Sequence, residues 1–374
     1  MFVYILLVLA AIWGIYKYDR LDNKDGMPYY IFLMILATLV SGLRYKIGAD
    51  TINYIEELKY IPPINDFKWS ILNETRYEIG FVLYVSLLKF ISTEYLFFQL
   101  IHATIINSIL FYIFYKWSRN KFTTVLLYFT FIYIIFNTEI LRESLAVCLF
   151  LLSIIFYRKN NWILYFSING LAVMMHNSAY ITFLVPFLKF LSLENRKVFF
   201  SLFVLVLISS VALWETIFPI IMKSVLSDSM NDAVNSYMVD DFSYNLNGII
   251  GAMLPTVILP LCIVYTFRHF PYANNNFVRP LLFVYIILGL FSQFNSVIFY
   301  RFQNYFIVFF LIYLADLFYV LRIRHNVVKR NVLLLFISLI LFFTYYKYGK
   351  KDIETVENIY IYERYFPYKS YITK

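Results

Sequence analysis

Arginine, carboxylate and histidine side chains mark the points where this chain enters or leaves its apolar segments. They are Arg44, Asp50, Glu78, Arg142, Glu143, His176 and Arg301. Arginine presents a planar, permanently charged fork that suits phosphate and carboxylate groups. Carboxylates and histidines can take a proton from a hydroxyl group. The combination predicts a site for an anionic headgroup, with bases available for proton transfer.

The segment around Arg142 carries a dense group of charges. It reads Asn137-Thr138-Glu139-Ile140-Leu141-Arg142-Glu143-Ser144-Leu145-Ala146. Residues three and four apart face the same side of a helix, so Glu139, Arg142 and Glu143 are expected to share one side. Two interpretations stay open. The acids and the arginine form a local pair that fixes a helix start, or the guanidinium is held for an anionic headgroup.

His176 is the first candidate for a general base, because it stands in a turn, Met174-Met175-His176-Asn177-Ser178-Ala179, between two apolar runs. Histidine ordinarily has a pKa of about 6.5, which suits proton transfer if the ring faces a cavity. The alternative is a purely structural histidine. Asp50, in the segment that follows Arg44, and Arg301, expected between two apolar runs, add charges beside the membrane.

Motifs for other chemistries are missing from the sequence. It contains no GxGxxG, P-loop, HExxH or CxxC pattern, so nucleotide, zinc and redox chemistry lack support. Cys148 and Cys262 both stand inside apolar runs, where helix packing is the expected role. We therefore expect no metal and no cofactor.

The composition is that of a membrane protein. Of 374 residues, 61% are hydrophobic and 15% are charged, and the mean hydropathy is +0.68. Soluble domains are less apolar and carry more charge, so a soluble enzyme is excluded. The net charge of +9 is explained by basic turns on the cytoplasmic side, and no nucleic acid is expected as a partner.

Apolar runs predict an all-α, polytopic protein with about twelve transmembrane helices. The runs are 1–16, 29–43, 95–115, 122–136, 140–157, 162–175, 177–191, 198–214, 248–267, 280–300, 302–320 and 331–346. A further run, 79–91, is short and contains Lys89, so we predict a re-entrant or interfacial helix there. A thirteenth span is the alternative.

Charge asymmetry predicts the orientation. With about twelve spans, sixteen Lys and Arg residues fall in the short turns on one side and only Arg142, Lys223 and Arg301 in those on the other. The N-terminus is then outside, and 1–374 is a single transmembrane domain with extracytoplasmic segments 44–78, 215–247 and 347–374. The ionisable residues named above gather at this outer face.

The ordered motifs resemble the EpsG family of Wzy-type bacterial polysaccharide polymerases. They are Arg44…Gly48-Ala49-Asp50…Tyr54, Glu78-Ile79-Gly80-Phe81, Leu141-Arg142-Glu143-Ser144-Leu145-Ala146, His176-Asn177-Ser178-Ala179, Arg301…Tyr305-Phe306 and Phe366-Pro367-Tyr368-Lys369-Ser370. Glu143 stands where the family pattern suggests Gln. The resemblance implies a glycosyltransferase of the bacterial plasma membrane that polymerises undecaprenyl-diphosphate-linked oligosaccharide units at the outer face, for capsule, O antigen or exopolysaccharide.

The residues fit that chemistry in defined roles. Arginine can stabilise a diphosphate leaving group without a metal. Arg142 and Arg301 are assigned to the diphosphate, with Arg44 as a third candidate and Glu143 beside them. His176 is the first choice as base, ahead of Asp50 and Glu78. The rings expected to stack on sugars are those of Tyr54 and Tyr305.

Other functions remain open at this point. A flippase or transporter of lipid-linked oligosaccharides needs a similar number of spans, but it should show internal repeats and midplane charges, which the sequence lacks. An O-antigen ligase or a sugar O-acyltransferase would share arginines and a histidine at one face. The resemblance also implies a chain-length regulator and a flippase of the same pathway as partners.

Overall fold

The computed structural model describes residues 2–20, 26–48, 50–190, 275–292, 296–323, 325, 327–349, 353–356, 359–363 and 368–372. Contacts divide the chain into two compact units. The first unit is Met1–Tyr180 with Leu311–Lys374, and the second unit is Ile181–Phe310. The predicted spans 198–214 and 248–267 and the predicted outer segment 215–247 lie outside the described residues.

Helices make up most of the described chain. They are α1 (Phe2–Gly14), extended by a π-helical turn (Ile15–Asp19), α2 (Met27–Gly42), α3 (Thr51–Lys59), α4 (Ile79–Ile91), α5 (Tyr95–Trp117), α6 (Lys121–Phe131), α7 (Tyr133–Thr138), α8 (Leu141–Tyr157), α9 (Trp162–Met175), α10 (Asn275–Phe291), α11 (Ser296–Ile323) and α12 (Val327–Gly349). Ile64–Asp66, Trp69–Asn73 and Asn177–Phe190 are 3₁₀ helices. An antiparallel pair of short strands, β1 (Ile353–Val356) and β2 (Ile359–Glu363), follows α12.

Among the described residues, four helical stretches are long and apolar enough to cross a membrane. They are Phe2–Asp19, Tyr95–Trp117, Ile298–Ile323 and Val327–Tyr346. The predicted helical membrane class is therefore confirmed, with the strand pair in the tail as an addition. The number of about twelve spans stays a prediction.

Helices α2 and α5 pack side by side in opposite directions. The Tyr30 hydroxyl, at the start of α2, donates to the carbonyl oxygen of Phe111 (2.9 Å). At the other end, Gln99 Nε2 donates to the carbonyl oxygen of Gly42 (2.7 Å). Because buried polar groups need partners, these bonds fix which ends of the two helices meet.

A closed triangle of buried amides and a phenol joins α5, α6 and α7. Asn107 Nδ2 donates to Asn137 Oδ1 (3.0 Å), and Asn137 Nδ2 donates to the Tyr128 hydroxyl (2.8 Å). That hydroxyl donates in turn to Asn107 Oδ1 (3.0 Å). Each such interhelical bond contributes about 0.6 kcal/mol in a membrane interior, so the triangle specifies how the helices align as well as stabilising them.

One end of the first unit collects basic turns. Here the carboxylate of Asp19, after α1, accepts a hydrogen bond from the backbone N–H of Thr123 at the start of α6 (2.7 Å). Asp316 of α11 accepts one from the backbone N–H of Arg119 (2.9 Å). We name this the basic end, after Lys17, Arg20, Lys116, Arg119, Lys121, Arg158, Lys159, Arg322, Lys329 and Arg330.

The opposite end of the first unit holds the tail against the loop after α2. The backbone N–H of Tyr45 donates to Lys369, and that of Tyr371 donates to Leu43, both at 2.9 Å. We name this the site end, formed by residues 43–78, 138–143, 176–178 and 368–372. The tail is thus part of the first unit rather than a loose appendage.

Helix α4 begins and finishes at the site end. At its start, Glu78 pairs with Arg142, the second residue of α8. Near its last turn, Lys89 Nζ donates to the carbonyl oxygens of Leu58 (2.5 Å) and Ile61 (2.6 Å), which follow α3. Both ends of α4 therefore lie among residues of the site end, so this helix does not run from one end of the first unit to the other. The interfacial helix and the thirteenth span both stay predictions.

Two predicted spans have different boundaries in the structure. Helix α11 begins at Ser296, so Arg301 lies inside a helix and not between the predicted spans 280–300 and 302–320. Ser292 marks the end of α10, with its hydroxyl donating to the Gly289 carbonyl oxygen (2.8 Å). The described break between these two helices thus begins after Phe291, and Arg301 does not mark it.

Two other predicted spans are less regular than a single α-helix. The run 122–136 is broken at Ile132, whose φ of −134° separates α6 from α7. The run 177–191 is a 3₁₀ helix, Asn177–Phe190, with Pro186 inside it. Proline removes a backbone donor and clashes with the preceding turn, which disfavours an α-helix there.

Gly80 is required for the close approach of α4 to α9. A Cβ at this position would lie 2.7 Å from the carbonyl oxygen of Met174, a backbone atom that cannot rotate away. We expect Gly80→Ala to lower the free energy of unfolding by about 1–3 kcal/mol, a typical cost of overpacking. Thermal unfolding of the purified protein in lipid nanodiscs measures it.

Gly170→Ala is the matched control, since a Cβ there meets nothing within 4 Å. This variant should be neutral or slightly stabilising, because glycine weakens a helix interior by about 0.5–1 kcal/mol. Equal melting temperatures for the two variants would contradict the packing inferred at Gly80.

Candidate functional site

Arg142 is the centre of the site end. Its Nη1 donates to Glu78 Oε2 in an ion pair between side chains that are 18% and 13% exposed. Arg142 stands in the first turn of α8, where the helix dipole is unfavourable for a cation by about 0.3–1 kcal/mol. The carboxylate of Glu78 offsets that cost, so the pair holds a cation where the helix alone would not place one.

The pairing of Arg142 was not the one expected from neighbouring residues. The local Glu139–Arg142–Glu143 interpretation assigned the arginine an acid on its own helix. Instead its acid is Glu78, which precedes α4 and stands 64 positions away in sequence. Glu143 is buried, with 1% of its surface exposed. The arginine therefore joins two helices and does not simply fix the start of one.

Two tyrosines enclose the guanidinium. Its central carbon lies 4.6 Å from the centroid of the Tyr77 ring, a cation–π contact. The Tyr54 ring, from α3, stacks on Tyr77 with centroids 5.9 Å apart, and the Tyr54 hydroxyl lies close enough to interact with Arg142. Sequence analysis named Tyr54 but missed Tyr77, whose only signal was its place directly before Glu78.

Both phenols stay protonated at neutral pH. Burial raises the pKa of Tyr54, opposed by the positive charge of Arg142. Burial also raises the pKa of Tyr77, and the nearby Glu57 carboxylate raises it further. The Tyr54 ring is itself buried against Tyr77 and Phe81, so it supplies a hydroxyl group and not the sugar-stacking face that the sequence suggested.

The His176 turn is tied to the same ion pair. Glu78 Oε1 accepts a hydrogen bond from the backbone N–H of Asn177 (3.2 Å). His176 caps the end of α9, and its Nδ1 accepts a hydrogen bond from the backbone N–H of Ser178 (3.1 Å). Glu78 thus connects the start of α8 with the end of α9.

The hydrogen bond to Nδ1 assigns the tautomer of His176. A backbone N–H can only donate, so Nδ1 must offer its lone pair and the proton of the neutral ring lies on Nε2. The Ser178 hydroxyl also contacts Nδ1 (2.7 Å). Its Nδ1 is thus engaged within its own turn, and the role of His176 as general base stays a prediction.

Arg142 keeps one donor for a ligand. Its Nε is buried and has no hydrogen-bond partner among the residues that the structure describes. An unsatisfied buried N–H on a charged group costs several kcal/mol, roughly, unless an acceptor fills it. An anionic oxygen placed beside Arg142 would satisfy this group.

Asp50 supplies an exposed carboxylate at the start of α3, close enough to Tyr54 for their charges to interact. Gly48 brings this loop against the end of α7. It has φ of +109°, a conformation that favours glycine, and a Cβ there would lie 3.0 Å from the Thr138 carbonyl oxygen.

Arg44 enters a different, fully buried cluster. Its Nη1 donates to the Ser41 carbonyl oxygen (2.5 Å), while Nη2 has no partner within the described part of the chain. Gln99 Nε2 donates to the carbonyl oxygen of Arg44 (2.8 Å). Further along α5, both ring nitrogens of His102 lack a described partner as well. Arg44 is thus part of the site end, but the structure does not pair it with Arg142.

A family model described as the EpsG family matches residues 27–370, nearly the whole chain. The chain belongs to the EpsG family. This is a Wzy-like family of polysaccharide polymerases, so the resemblance drawn from the motifs is confirmed. No curated protein and no solved structure matches the chain.

The later EpsG-family motif lies in α11. Arg301 and Tyr305 both belong to the part of this helix within the second unit. Tyr305 is completely buried, so it presents no open ring face on which a sugar could stack. The proposed diphosphate contact of Arg301 stays a prediction.

The EpsG-family site end also has a cavity of about 260 Å³ between α3, α4 and the start of α5. Its apolar wall includes Leu58 and Phe98, and its polar rim includes Lys59, Ser92 and Glu94. Apolar walls with a few polar groups are typical of small-molecule sites. The cavity lies beside the Tyr54 helix, at the same end of the first unit as Arg142.

Arg142→Lys should reduce polymer formation by about 10²–10³-fold, the loss expected when one transition-state donor is removed. Lysine keeps the charge, but it cannot donate to Glu78 and to a ligand oxygen in the same planar geometry. The measurement is the rate of polymer formation by equal amounts of purified, folded protein.

Arg76→Lys is the matched control, because Arg76 also lies over the Tyr77 ring (5.7 Å) and pairs with an acid, Glu57, but is largely exposed. Exposed ion pairs contribute little, so its activity should stay near that of the unchanged protein. If both lysine variants kept full activity, Arg142 would not be a substrate-binding group.

Proposed function

We propose that this EpsG-family protein transfers a growing glycan from undecaprenyl diphosphate to a hydroxyl group of an incoming lipid-linked unit, at the outer face of the plasma membrane. The observation that carries the proposal is the Arg142 guanidinium, which Glu78 and Tyr77 fix and whose buried Nε has no hydrogen-bond partner among the described residues. Such a fixed donor suits a diphosphate leaving group, whose negative charge grows as the bond breaks.

The reaction makes one glycosidic bond and breaks one sugar–phosphate bond. The acceptor hydroxyl attacks the anomeric carbon of the donor glycan, and undecaprenyl diphosphate leaves with the bonding electrons. Arg142 stabilises the diphosphate oxygens through Nε, and the Tyr54 hydroxyl is a second donor nearby. The proton of the acceptor hydroxyl passes to a base, and no oxidant or reductant takes part.

Asp50 is our choice for that base. Its carboxylate is exposed at the site end and interacts with Tyr54, beside Arg142. Glu78 is committed to Arg142 and to the Asn177 backbone, and His176 uses its Nδ1 lone pair within its own turn.

The decisive experiment is an in vitro reaction of the purified protein in lipid with a synthetic undecaprenyl-diphosphate repeat unit, without nucleotide sugar or metal. We expect a ladder of products on size separation. Asp50→Asn should slow it by about 10²–10⁴-fold, the usual contribution of a general base. Asp66→Asn, another exposed acid of the same segment, is the control and should leave the ladder unchanged.

Two results would contradict this function. If the substrate stayed intact and the protein moved it across the membrane of a liposome, the protein would be a flippase. Transfer of the glycan only to a different acceptor, with no ladder, would indicate a ligase. A full ladder from Asp50→Asn would overturn the assignment of the base while leaving the polymerase in place.

The outer-face placement is tested by labelling single cysteines in intact cells, after Cys148 and Cys262 have been replaced by alanine. Tyr60 is 83% exposed at the site end. The cysteine of the Tyr60→Cys variant should therefore react with a membrane-impermeant maleimide. Lys159→Cys, in the turn between α8 and α9 at the basic end, should react only after the membrane is opened. The opposite pattern would place the site end in the cytoplasm.

A further inference from the structure

A second cavity, of about 350 Å³, lies at the basic end of the first unit, away from Arg142. Residues of four elements line it: the turn after α1, the start of α6, the last part of α11 and the first part of α12. Its polar and apolar linings are separated, because the arginines come from the helix ends while the leucines and isoleucines come from further along the helices.

The polar half of this cavity is positively charged. It is lined by Arg20, Arg322 and Arg330, with Asp19 as its acid. Neither Arg20 nor Arg330 forms an ion pair with any residue that the structure describes. Arg20 lies over the Tyr16 ring (5.6 Å), a contact that leaves its charge without a counter-charge from the described residues. Arginines in this state are well placed for an anionic ligand.

The carboxylate of Asp19 is bound mainly to Thr123, although Arg322 is close enough for the two charges to interact. Its Oδ2 accepts hydrogen bonds from the backbone N–H (2.7 Å) and the hydroxyl (2.8 Å) of Thr123, so the carboxylate caps the start of α6. Arg322 donates instead to the backbone carbonyl oxygen of Asp19. The cavity therefore keeps an excess of positive charge.

The apolar half continues along the helices, where Leu126 and Leu127 of α6 face Leu334 and Ile337 of α12 across the cavity. Helix α12 buries only 17% of its spanning window, so most of its apolar surface is left for lipid. A cavity with arginines at the boundary and aliphatic side chains below matches a phosphate headgroup followed by an acyl chain.

We propose that this cavity binds one anionic phospholipid, with its phosphate held by Arg20, Arg322 and Arg330 and its acyl chain against Leu334 and Ile337. Basic pockets between transmembrane helices are suited to such headgroups. A soluble anion would leave the aliphatic half empty, and a neutral lipid would leave the arginines without a counter-charge. The site is separate from the proposed polymerase site, and its test does not depend on polymer formation.

The experiment is native mass spectrometry of the protein released from nanodiscs that contain equal amounts of phosphatidylglycerol and phosphatidylcholine. We expect retained phosphatidylglycerol at one molecule per chain. The double variant Arg20→Gln, Arg330→Gln should retain less phosphatidylglycerol by a factor of about ten or more, because charge-assisted hydrogen bonds are lost.

The double variant Arg158→Gln, Lys159→Gln removes the same charge from the same end but outside the cavity, and it should retain the lipid like the unchanged protein. Leu334→Gln tests the apolar half, since it should weaken retention with every arginine in place. Melting temperatures of the detergent-purified variants, recorded without added lipid, confirm that each one is folded.

Equal loss of phosphatidylglycerol from both double variants would overturn the proposal, because it would show attraction to net charge alone. Equal retention of the two lipids would overturn it as well. Inorganic phosphate, added at millimolar concentration, should neither displace the lipid nor raise the melting temperature. If it did, the cavity would be a site for a free anion.

Discussion

The ion pair between Arg142 and Glu78 is the interaction on which the site end depends. A guanidinium near a membrane boundary is costly unless it is paired, and here it also stands at the unfavourable end of a helix dipole. Glu78 offsets both costs and also accepts the Asn177 backbone N–H (3.2 Å). One carboxylate therefore fixes the start of α8, the start of α4 and the end of α9, and the close packing of Gly80 lets α4 reach that position.

The rest of the site follows from this pair. Tyr77 lies against Arg142 because it directly precedes Glu78, and Tyr54 is stacked on Tyr77 from α3. The donors around Arg142 are thus held before a substrate arrives, and preorganised donors of this kind stabilise developing charge at little cost in rearrangement. Arg44 has the opposite character, since it is buried among carbonyl oxygens on a loop that the tail covers.

The two ends of the first unit use the same residue type for different purposes. At the site end, arginine is paired and enclosed by aromatic rings. At the basic end, Arg20 and Arg330 stand beside aliphatic surface and form no ion pair within the described part of the chain. The lipid site proposed at the basic end depends on this difference, because its arginines stand over a gap between helices.

Sequence by itself determined the membrane class, because long apolar runs are typical of membrane helices, and the EpsG family, because its motifs occur in order along the chain. It also predicted that Arg142, Glu78 and His176 lie at one end, since each stands at the boundary of an apolar run. Only the tertiary structure decided the partners. Arg142 pairs with Glu78, 64 positions away, and lies against the Tyr77 ring, because helices that pack together can lie far apart in sequence. The breaks at Ile132 and before Ser296 were also missed, since apolar composition does not distinguish a continuous helix from a kinked one. The tautomer of His176 required the position of a single backbone N–H, which no sequence pattern reveals.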